Sequence, residues 1–248
     1  MIISKTREEL DIMREAGRIV AQVLHAMKGM AVPGVETAEL DRRAREIIEE
    51  AGAEPAFLGY RGFPASICTS INEELVHGIP GTRKLKEGDI LSVDAGARFQ
   101  GYYGDAAVTL PVGKISKAAR RLVKVTEEAL EKAIEQMRIG NYLSDVSHAI
   151  QSYVESFRFS VVRNYVGHGI GTRMHEPPEV PNFGFPGKGP RLREGMVLAI
   201  EPMVNIGSWE VEVLADQWTV VTADRSLCAH FEHSVAVTSA GPEILTLL

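Results

Sequence analysis

Two stretches of the chain, 107 residues apart, carry nearly the same pattern. Leu85 to Asp94 reads L-K-E-G-D-I-L-S-V-D, and Leu192 to Glu201 reads L-R-E-G-M-V-L-A-I-E. The turn glycines Gly34 and Gly140 lie 106 residues apart, so the offset persists over much of each half. Self-similarity at a fixed period indicates a repeated structural unit. The sequence therefore predicts an internal duplication in which Asp94 and Glu201 hold equivalent positions.

In each repeat, the pattern of apolar residues predicts two helices followed by strands. Apolar residues recur at helical spacing over about 6–28, 37–52, 116–137 and from 144 onward. Thr6, Thr37 and Ser144 are the expected N-caps of three of these helices. Two α-α-β halves, about 1–113 and 114–248, that share one sheet would form a single α+β domain, and 248 residues are enough for a substantial core.

The stretch from Gly88 to Leu110 predicts a β-hairpin with one acidic face. With a period of two, Val93 points to the core and Asp94 to the other side, and the second arm places Asp105 on that same open side. A turn centred near Phe99-Gln100 would set the two aspartates opposite each other. Carboxylates that close raise each other's pKa unless a cation lies between them. A metal site is the simplest explanation, and an acidic surface hairpin is the alternative.

The second repeat predicts two more acids on the same face. Glu201 is equivalent to Asp94, and alternation around Glu232 makes it the expected counterpart of Asp105. Four converging carboxylates carry about −4 of charge, which two divalent cations would neutralise. His168, in V-G-H-G-I-G, adds an imidazole between glycines that permit close approach. An oxygen-rich site with one nitrogen suits Mn, Fe or Co, does not exclude Zn, and is unlike a thiolate-bound structural zinc.

Two further histidines lie in loops beside glycine or proline: His77 in L-V-H-G-I-P and His175 in M-H-E-P-P. A loop histidine is usually only solvated, but beside a metal site an imidazole could hydrogen-bond a substrate amide or a developing oxyanion. Cys68 with His77 could suggest a thiol nucleophile, yet no third group orients the pair. G-H-G-I-G lacks the spacing of a phosphate-binding loop.

Composition narrows the class of protein. The net charge of −6 argues against a nucleic-acid partner that requires a broad basic surface. The two cysteines, Cys68 and Cys228, are too few for a disulfide framework, which favours a reducing compartment. The N-terminus is charged where a secretion signal needs an apolar run, and no apolar run of about 20 residues follows. A soluble cytoplasmic protein without a membrane segment is expected.

These residues resemble a known family. The candidate ligands occur in the order Asp94, Asp105, His168, Glu201 and Glu232, together with the motifs G-H-G-I-G, H-E-P-P, I-E-P-M-V and E-H-S. Over nearly its whole length the chain resembles the methionine aminopeptidases of the pita-bread fold. Its compact length resembles the bacterial type I form and leaves no room for the extra N-terminal domain usual in prolidase and aminopeptidase P. The resemblance implies duplicated halves around a shared curved antiparallel sheet, with helices on the outer face.

The resemblance also implies a role for each ligand. Asp105 and Glu232 would bridge two divalent ions, Asp94 would bind one of them, and His168 with Glu201 would bind the other. A metal-bound hydroxide would attack the peptide carbonyl, and Glu201 would accept and donate protons. The identity of the ions, Co, Mn, Fe or Zn, stays open.

The remaining implied residues contact the peptide. His175 would stabilise the tetrahedral oxyanion, and His77 would contact the peptide near the scissile bond. The expected walls of the methionine pocket are Tyr60, Phe63, Cys68, Met174 and Trp218, a set of aromatics and sulfur that suits a flexible thioether. Two positions depart from the family pattern: Met174 stands where an aromatic is common, and His230 where glutamine is usual.

The implied activity is metal-dependent removal of the initiator methionine from nascent proteins whose second residue is small. Transient ribosome contact follows from such a substrate, and a compact single domain makes a monomer the default. Two alternatives stay open. One is a related X-Pro peptidase, and the other is a non-catalytic binding module, against which the retention of all five ligands argues.

Overall fold

A computed structural model describes residues 2–248, in which two helices followed by strands occur twice along the chain. The helices are α1 (Arg7–Met30), α2 (Thr37–Glu50), α3 (Lys117–Ile134) and α4 (Leu143–Ser156). The strands of the first half are β1 (Glu54–Pro55), β2 (Ile67–Ile71), β3 (Glu74–Val76), β4 (Ile90–Phe99) and β5 (Tyr102–Pro111). Those of the second half are β6 (Ser160–Val161), β7 (Gly167–Gly169), β8 (Glu176–Val180), β9 (Val197–Ile200), β10 (Met203–Asn205), β11 (Val211–Val213), β12 (Val220–Thr222), β13 (Cys228–His230), β14 (Glu232–Thr238) and β15 (Gly241–Ile244).

One of the three expected N-caps agrees with the structure. Thr6 caps α1 and forms the expected capping box with Glu9. The predictions for Thr37 and Ser144 are wrong, because α2 begins after Glu36 and α4 begins after Tyr142. The two hydroxyl groups instead bind loops that lie beside the helix starts: Thr37 bonds Gly81, and Ser144 accepts the N–H of Lys188.

One large antiparallel sheet joins the two halves. Its hydrogen-bonded order is β1-β4-β5-β14-β9-β7-β8, with β2 also paired to β4 and β15 to β14. The halves meet where β5 pairs with β14. Two three-stranded sheets, β13-β10-β6 and β11-β12-β3, complete the described strands. The predicted pita-bread architecture of duplicated halves is therefore confirmed.

Helices cover the apolar side of the sheet. Leu91 and Val93 of β4 pack with residues of α1 and α2, and Leu198 and Ile200 of β9 pack with residues of α3 and α4. Successive strand residues point to opposite faces. Asp94 follows Val93, so its carboxylate lies on the face away from the helices. No helix within residues 2–248 has the length and apolar character needed to cross a bilayer.

The register of the first hairpin differs from the expected one. Asp94 pairs with Ala107 and Asp105 pairs with Gly96, so the turn is Gln100-Gly101 rather than Phe99-Gln100. Both turn residues have positive φ, 46° and 87°, as a two-residue hairpin turn with the right twist requires. The two aspartates are thus diagonal neighbours on one face and not directly opposite each other.

The register also identifies the true counterpart of Asp105. Asp105 pairs with Gly96, and the residue 107 positions after Gly96 is Met203. Met203 pairs with His230. His230 is therefore the residue that the duplication places where the first half has Asp105.

Glu232 corresponds instead to Ala107, so the expectation that Glu232 is the counterpart of Asp105 is wrong. Glu232 and Ala107 pair with each other where β14 meets β5. Two equivalent residues that pair with each other lie on the local pseudo-twofold axis. The alternation of apolar and polar residues predicted the face of Glu232 correctly but could not give its register.

Candidate functional site

Five side chains from both halves converge on the face of the large sheet away from the helices. They are Asp94 of β4, Asp105 of β5, His168 of β7, Glu232 at the start of β14, and Glu201, which directly follows β9. All five line one cavity of about 140 Å³. We call the four acids Asp94, Asp105, Glu201 and Glu232 the carboxylate cluster.

Separations within the site are those of atoms around a shared cation. The Nε2 atom of His168 lies 3.6 Å from Oε1 of Glu201 and 3.9 Å from Oδ2 of Asp105. One ligand atom each from Asp105, His168 and Glu232 lies within 4.8 Å of the others. These distances are too long for hydrogen bonds. They suit atoms that each contact a metal ion at about 2.0–2.2 Å.

Buried carboxylate oxygens lack partners. Oδ1 of Asp94, Oδ1 of Asp105 and Oε1 of Glu232 are buried, and none of them accepts a hydrogen bond from any residue within 2–248. An unsatisfied buried acceptor costs about 1–3 kcal/mol, and more when it is charged. Divalent cations that favour oxygen ligands would satisfy all three atoms. The site therefore fits the metal ions that its sequence implies.

The acidity of the carboxylate cluster leads to the same conclusion. Burial raises the pKa of Asp94 to about 7. Burial, followed by the charges of Glu232 and Asp94, raises the pKa of Asp105 well above its usual value. Burial and neighbouring acids likewise raise the pKa values of Glu201 and Glu232. Without a cation the cluster retains protons that a bound cation would displace.

The glycines on either side of His168 let β7 lie close to its neighbours β8 and β9. A Cβ atom on Gly167 would lie 2.4 Å from the carbonyl oxygen of Ala199, and one on Gly169 would lie 2.4 Å from that of Pro177. The Nδ1 atom of His168 lies 2.9 Å from the Gly169 carbonyl oxygen, which can only accept. Nδ1 therefore carries the proton, and the lone pair of Nε2 faces the acids. Burial lowers the pKa of His168 to about 4, so its ring is neutral at pH 7.

The expected pocket residues lie together beside the carboxylate cluster. The cavity is lined by Tyr60, Phe63, Cys68, His77, Met174, His175 and Trp218, in addition to the five side chains above. Cys68 pairs with Asp94 in the sheet, so its thiol lies beside that carboxylate. Phe63 and Trp218 meet edge to face, with ring centroids 5.1 Å apart. One side of the cavity is therefore apolar and the other is acidic.

Two lining residues, Phe57 and Arg61, were not predicted from the sequence. A Cβ atom on Gly96 would lie 2.7 Å from the Phe57 ring. A glycine inside a strand often marks a close approach of this kind, so Gly96 was a usable signal for a neighbour. Gly96 alone did not indicate which residue would lie against it. Arg61 belongs to an irregular turn with positive φ, for which the sequence carried no clear signal.

Two imidazoles border the cavity next to the cluster. The hydroxyl of Tyr60 lies 2.9 Å from Nδ1 of His175, and the His175 ring lies 4.1 Å from that of His168. The His77 ring meets Trp218 edge to face. Burial lowers the pKa of both rings, to about 4 for His77, and Arg61 lowers that of His175 further. Neutral rings in these places can accept or donate a hydrogen bond to a peptide.

Comparison with known proteins agrees with this geometry. Residues 11–239 match Metallopeptidase family M24. Methionine aminopeptidase 1 of Bacillus subtilis is 58% identical over 246 residues, which cover 99% of each chain. The crystal structure of methionine aminopeptidase from Thermotoga maritima superimposes with a TM-score of 0.99 at 50% identity over the full length of both chains.

A more distant similarity extends only to the fold. Prolidase from Pyrococcus horikoshii superimposes with a TM-score of 0.80 at 22% identity, and the match covers 99% of this chain but 64% of the prolidase. The two methionine aminopeptidases match along their whole length at more than twice that identity. The chain therefore belongs to the M24 metallopeptidases, within the methionine aminopeptidases of bacterial type.

Proposed function

We propose that this enzyme removes the N-terminal methionine from nascent polypeptides whose second residue is small. The observation that carries the proposal is the convergence of the carboxylate cluster and His168 beside an apolar pocket that contains aromatic and sulfur side chains. A metal centre next to a thioether-sized pocket matches the activity that the names of the relatives state. The preference for a small second residue would come from crowding beside the cluster.

We assign the metal ligands as the family resemblance implies. Asp105 and Glu232 would bridge two divalent ions, Asp94 would bind one, and His168 with Glu201 the other. Their support is the set of buried oxygens without a hydrogen-bond partner in the described part of the chain, and the 3.6 Å and 3.9 Å separations around His168. Bound divalent ions supply a nucleophilic water at neutral pH and polarise the scissile carbonyl. Mn, Fe, Co and Zn all suit this mixed oxygen and nitrogen set.

Glu201 is the proton carrier in this proposal. Burial, and then the charges of Asp105 and Asp94, raise its pKa well above the usual value, and a carboxyl group with a raised pKa can accept a proton and later release it. Its side chain is 13% exposed, so it lies at the open side of the cluster. A group that moves a proton needs both a suitable pKa and access to the reacting atoms.

The two cavity histidines bind the reacting peptide. Because Tyr60 can donate its hydroxyl proton to Nδ1 of His175, the proton of that ring then lies on Nε2. An Nε2–H group can donate to the developing oxyanion, which is the role assigned to His175. His77, which lines the cavity and meets Trp218 edge to face, is assigned the contact with the peptide near the scissile bond.

The methionine side chain is assigned to the apolar side of the cavity. Tyr60, Phe63, Cys68, Met174 and Trp218 supply its walls. Burial raises the pKa of the Cys68 thiol well above its usual value, so this group is a wall and not a nucleophile. Sulfur and aromatic rings contact a thioether favourably.

We also propose the cellular setting that the substrate implies. The enzyme would act as a monomer with one catalytic domain, in the cytoplasm, with transient contact to the ribosome where nascent chains emerge. Neither a membrane nor a specific nucleic-acid sequence is needed for this activity.

The proposal is tested with the variant Glu201→Gln, which keeps the shape of the side chain and removes the proton acceptor. We expect kcat for release of methionine from Met-Ala-Ser to fall at least about 100-fold. The matched control is the exposed Glu210→Gln, which should keep wild-type turnover. Wild-type enzyme should cleave Met-Ala-Ser much faster than Met-Leu-Ser. Turnover by Glu201→Gln within about threefold of wild type would overturn the assignment.

A further inference from the structure

His230 is a buried imidazole without a role in the proposed reaction. Its side chain is 2% exposed and ends β13 beside the carboxylate cluster. Neither ring nitrogen has a hydrogen-bond partner among residues 2–248. A buried polar side chain without a partner is costly, so its retention calls for a physical reason.

The free Nε2 atom of His230 points at the cluster. It lies 3.7 Å from Oε2 of Glu201 and 3.9 Å from Oε2 of Glu232. His168 lies near the other oxygen of Glu201, Oε1, at 3.6 Å. The two oxygens of Glu201 therefore face two different imidazoles. His168 lines the cavity with the other assigned ligands, whereas His230 is not among the residues that line it.

The backbone of His230 is fixed in the same way as that of Asp105. Thr109 Oγ1 donates to the His230 carbonyl at 2.8 Å and accepts its N–H at 2.9 Å. Ser234 Oγ donates to the Asp105 carbonyl at 2.8 Å and accepts its N–H at 3.1 Å. The duplication thus fixes the backbone of His230 with the same pair of hydrogen bonds as the backbone of Asp105.

We propose that His230 is a positioning residue, whose Nε2–H group donates to Oε2 of Glu201 and leaves Oε1 to face His168 and the cation. This inference rests on the proposed function, since it concerns the proton carrier of that reaction. A small side-chain rotation would shorten the distance between Nε2 of His230 and Oε2 of Glu201 from 3.7 Å to the length of a hydrogen bond, about 2.9 Å. Glu201 is the partner that can rotate, because its side chain is 13% exposed against 2% for His230.

The consequence for catalysis follows from the two tasks of Glu201. A carboxylate that binds a cation through one oxygen needs a donor at its second oxygen to keep its orientation. Loss of such a donor typically costs 10–100-fold in metal affinity or in activity. Binding of the methionine side chain, on the apolar side of the cavity, should change little.

Three variants at position 230 separate a donor from mere packing. His230→Leu removes the donor, His230→Gln keeps an N–H donor at similar reach, and His230→Asn keeps a donor on a shorter side chain. The matched control is His233→Leu, which removes a partly buried imidazole from the next strand, where Nδ1 of His233 bonds Thr246 instead. Thermal unfolding of each variant shows whether it is folded before its activity is compared.

We expect His230→Leu and His230→Asn to bind Mn²⁺ about 10–100-fold more weakly by calorimetry and to lose kcat by a similar factor, with KM for Met-Ala-Ser within about threefold of wild type. His230→Gln should recover both quantities to within about threefold, and the His233→Leu control should keep its Mn²⁺ affinity. Wild-type affinity and kcat in His230→Leu would overturn the proposal. Equal loss in His230→Gln and His230→Leu would also overturn it.

Proton NMR of the Co²⁺ form distinguishes a positioning residue from a sixth ligand. Each imidazole that binds the paramagnetic ion gives one strongly shifted, exchangeable N–H signal. We expect one such signal, from His168, and its retention in His230→Gln. A second signal that disappears in His230→Gln would make His230 a ligand and overturn the donor role. A wild-type protein that binds Mn²⁺ but releases no methionine would instead contradict the proposed function.

Discussion

The hydroxyl of Tyr60 lies 2.9 Å from Nδ1 of His175, and the two rings are stacked with centroids 5.4 Å apart. Tyr60 is thus both a wall of the pocket and the partner that sets the tautomer of His175. In Tyr60→Phe the wall stays and the hydrogen bond is lost, so the proton of His175 is no longer held on Nε2. We expect steady-state kinetics with Met-Ala-Ser to show kcat about 10-fold lower and KM within about twofold of wild type. An unchanged kcat with a raised KM would contradict this role.

Glu232 should be indispensable, because it lies on the pseudo-twofold axis and its buried Oε1 accepts no hydrogen bond from residues 2–248. In Glu232→Ala we expect methionine release to fall at least about 1,000-fold and calorimetric Mn²⁺ binding to weaken strongly. Glu212→Ala, on an exposed strand, is the control and should match wild type in both assays. Near-normal turnover by Glu232→Ala would disprove the ligand assignment.

Gly167 should tolerate no side chain. A Cβ atom there would lie 2.4 Å from the Ala199 carbonyl oxygen and would force β7 away from β9. We expect Gly167→Ala to destabilise the protein by about 1–3 kcal/mol, which lowers Tm by several degrees in a thermal scan of the metal-free protein. Gly29→Ala, in α1 with open space around it, should instead raise stability by up to about 1 kcal/mol. Equal Tm values for Gly167→Ala and wild type would refute the close approach.

The metal-free protein should lose stability as pH rises above about 6.5. The acids of the carboxylate cluster have raised pKa values in the folded state, about 7 for Asp94, so the folded protein retains protons that the unfolded chain has already released. Their stabilisation is present at low pH and is lost as pH rises through the folded pKa values. Buried histidines, with pKa lowered to about 4 at His77 and His168, have the opposite effect, but only below the ordinary value of 6.5.

Urea unfolding with a chelator between pH 6.5 and 8 measures this dependence. We expect the free energy of unfolding to fall over this interval, and saturating Mn²⁺ to remove most of the fall, because the cation replaces the protons. A free energy of unfolding that stays constant over the same interval in the metal-free protein would show that the cluster is already ionised without metal.

The sequence predicted the faces of strands better than their register. Alternation placed Val93 in the core and Asp94 on the open face, and the repeat placed Glu201 beside it. The register depends on where the turn lies, and the two turn residues must adopt positive φ. Gln100 has a φ of 46°, but a glutamine does not mark such a position in the sequence. One shifted position changed the pairing of Asp105 and concealed the equivalence of His230.

Helix caps and pocket walls show what else the sequence could not predict. Thr37 bonds Gly81, and Ser144 bonds Lys188, in loops more than 40 residues away along the chain. The spacing of residue types along the chain predicts local structure but not such tertiary partners. Phe57 was missed for the same reason, because the residue it contacts, Gly96, is distant along the chain.

Release of free amino acid from Met-Ala-Ser and Ala-Pro-Ser tests the central assignment most directly. The assay uses metal-stripped protein to which Mn, Co, Fe or Zn is restored separately. We predict that methionine is released only when metal is present and that Ala-Pro-Ser stays intact. Release of alanine with an inert Met-Ala-Ser would place the chain with the X-Pro peptidases, and no release with any of the four metals would contradict a catalytic role.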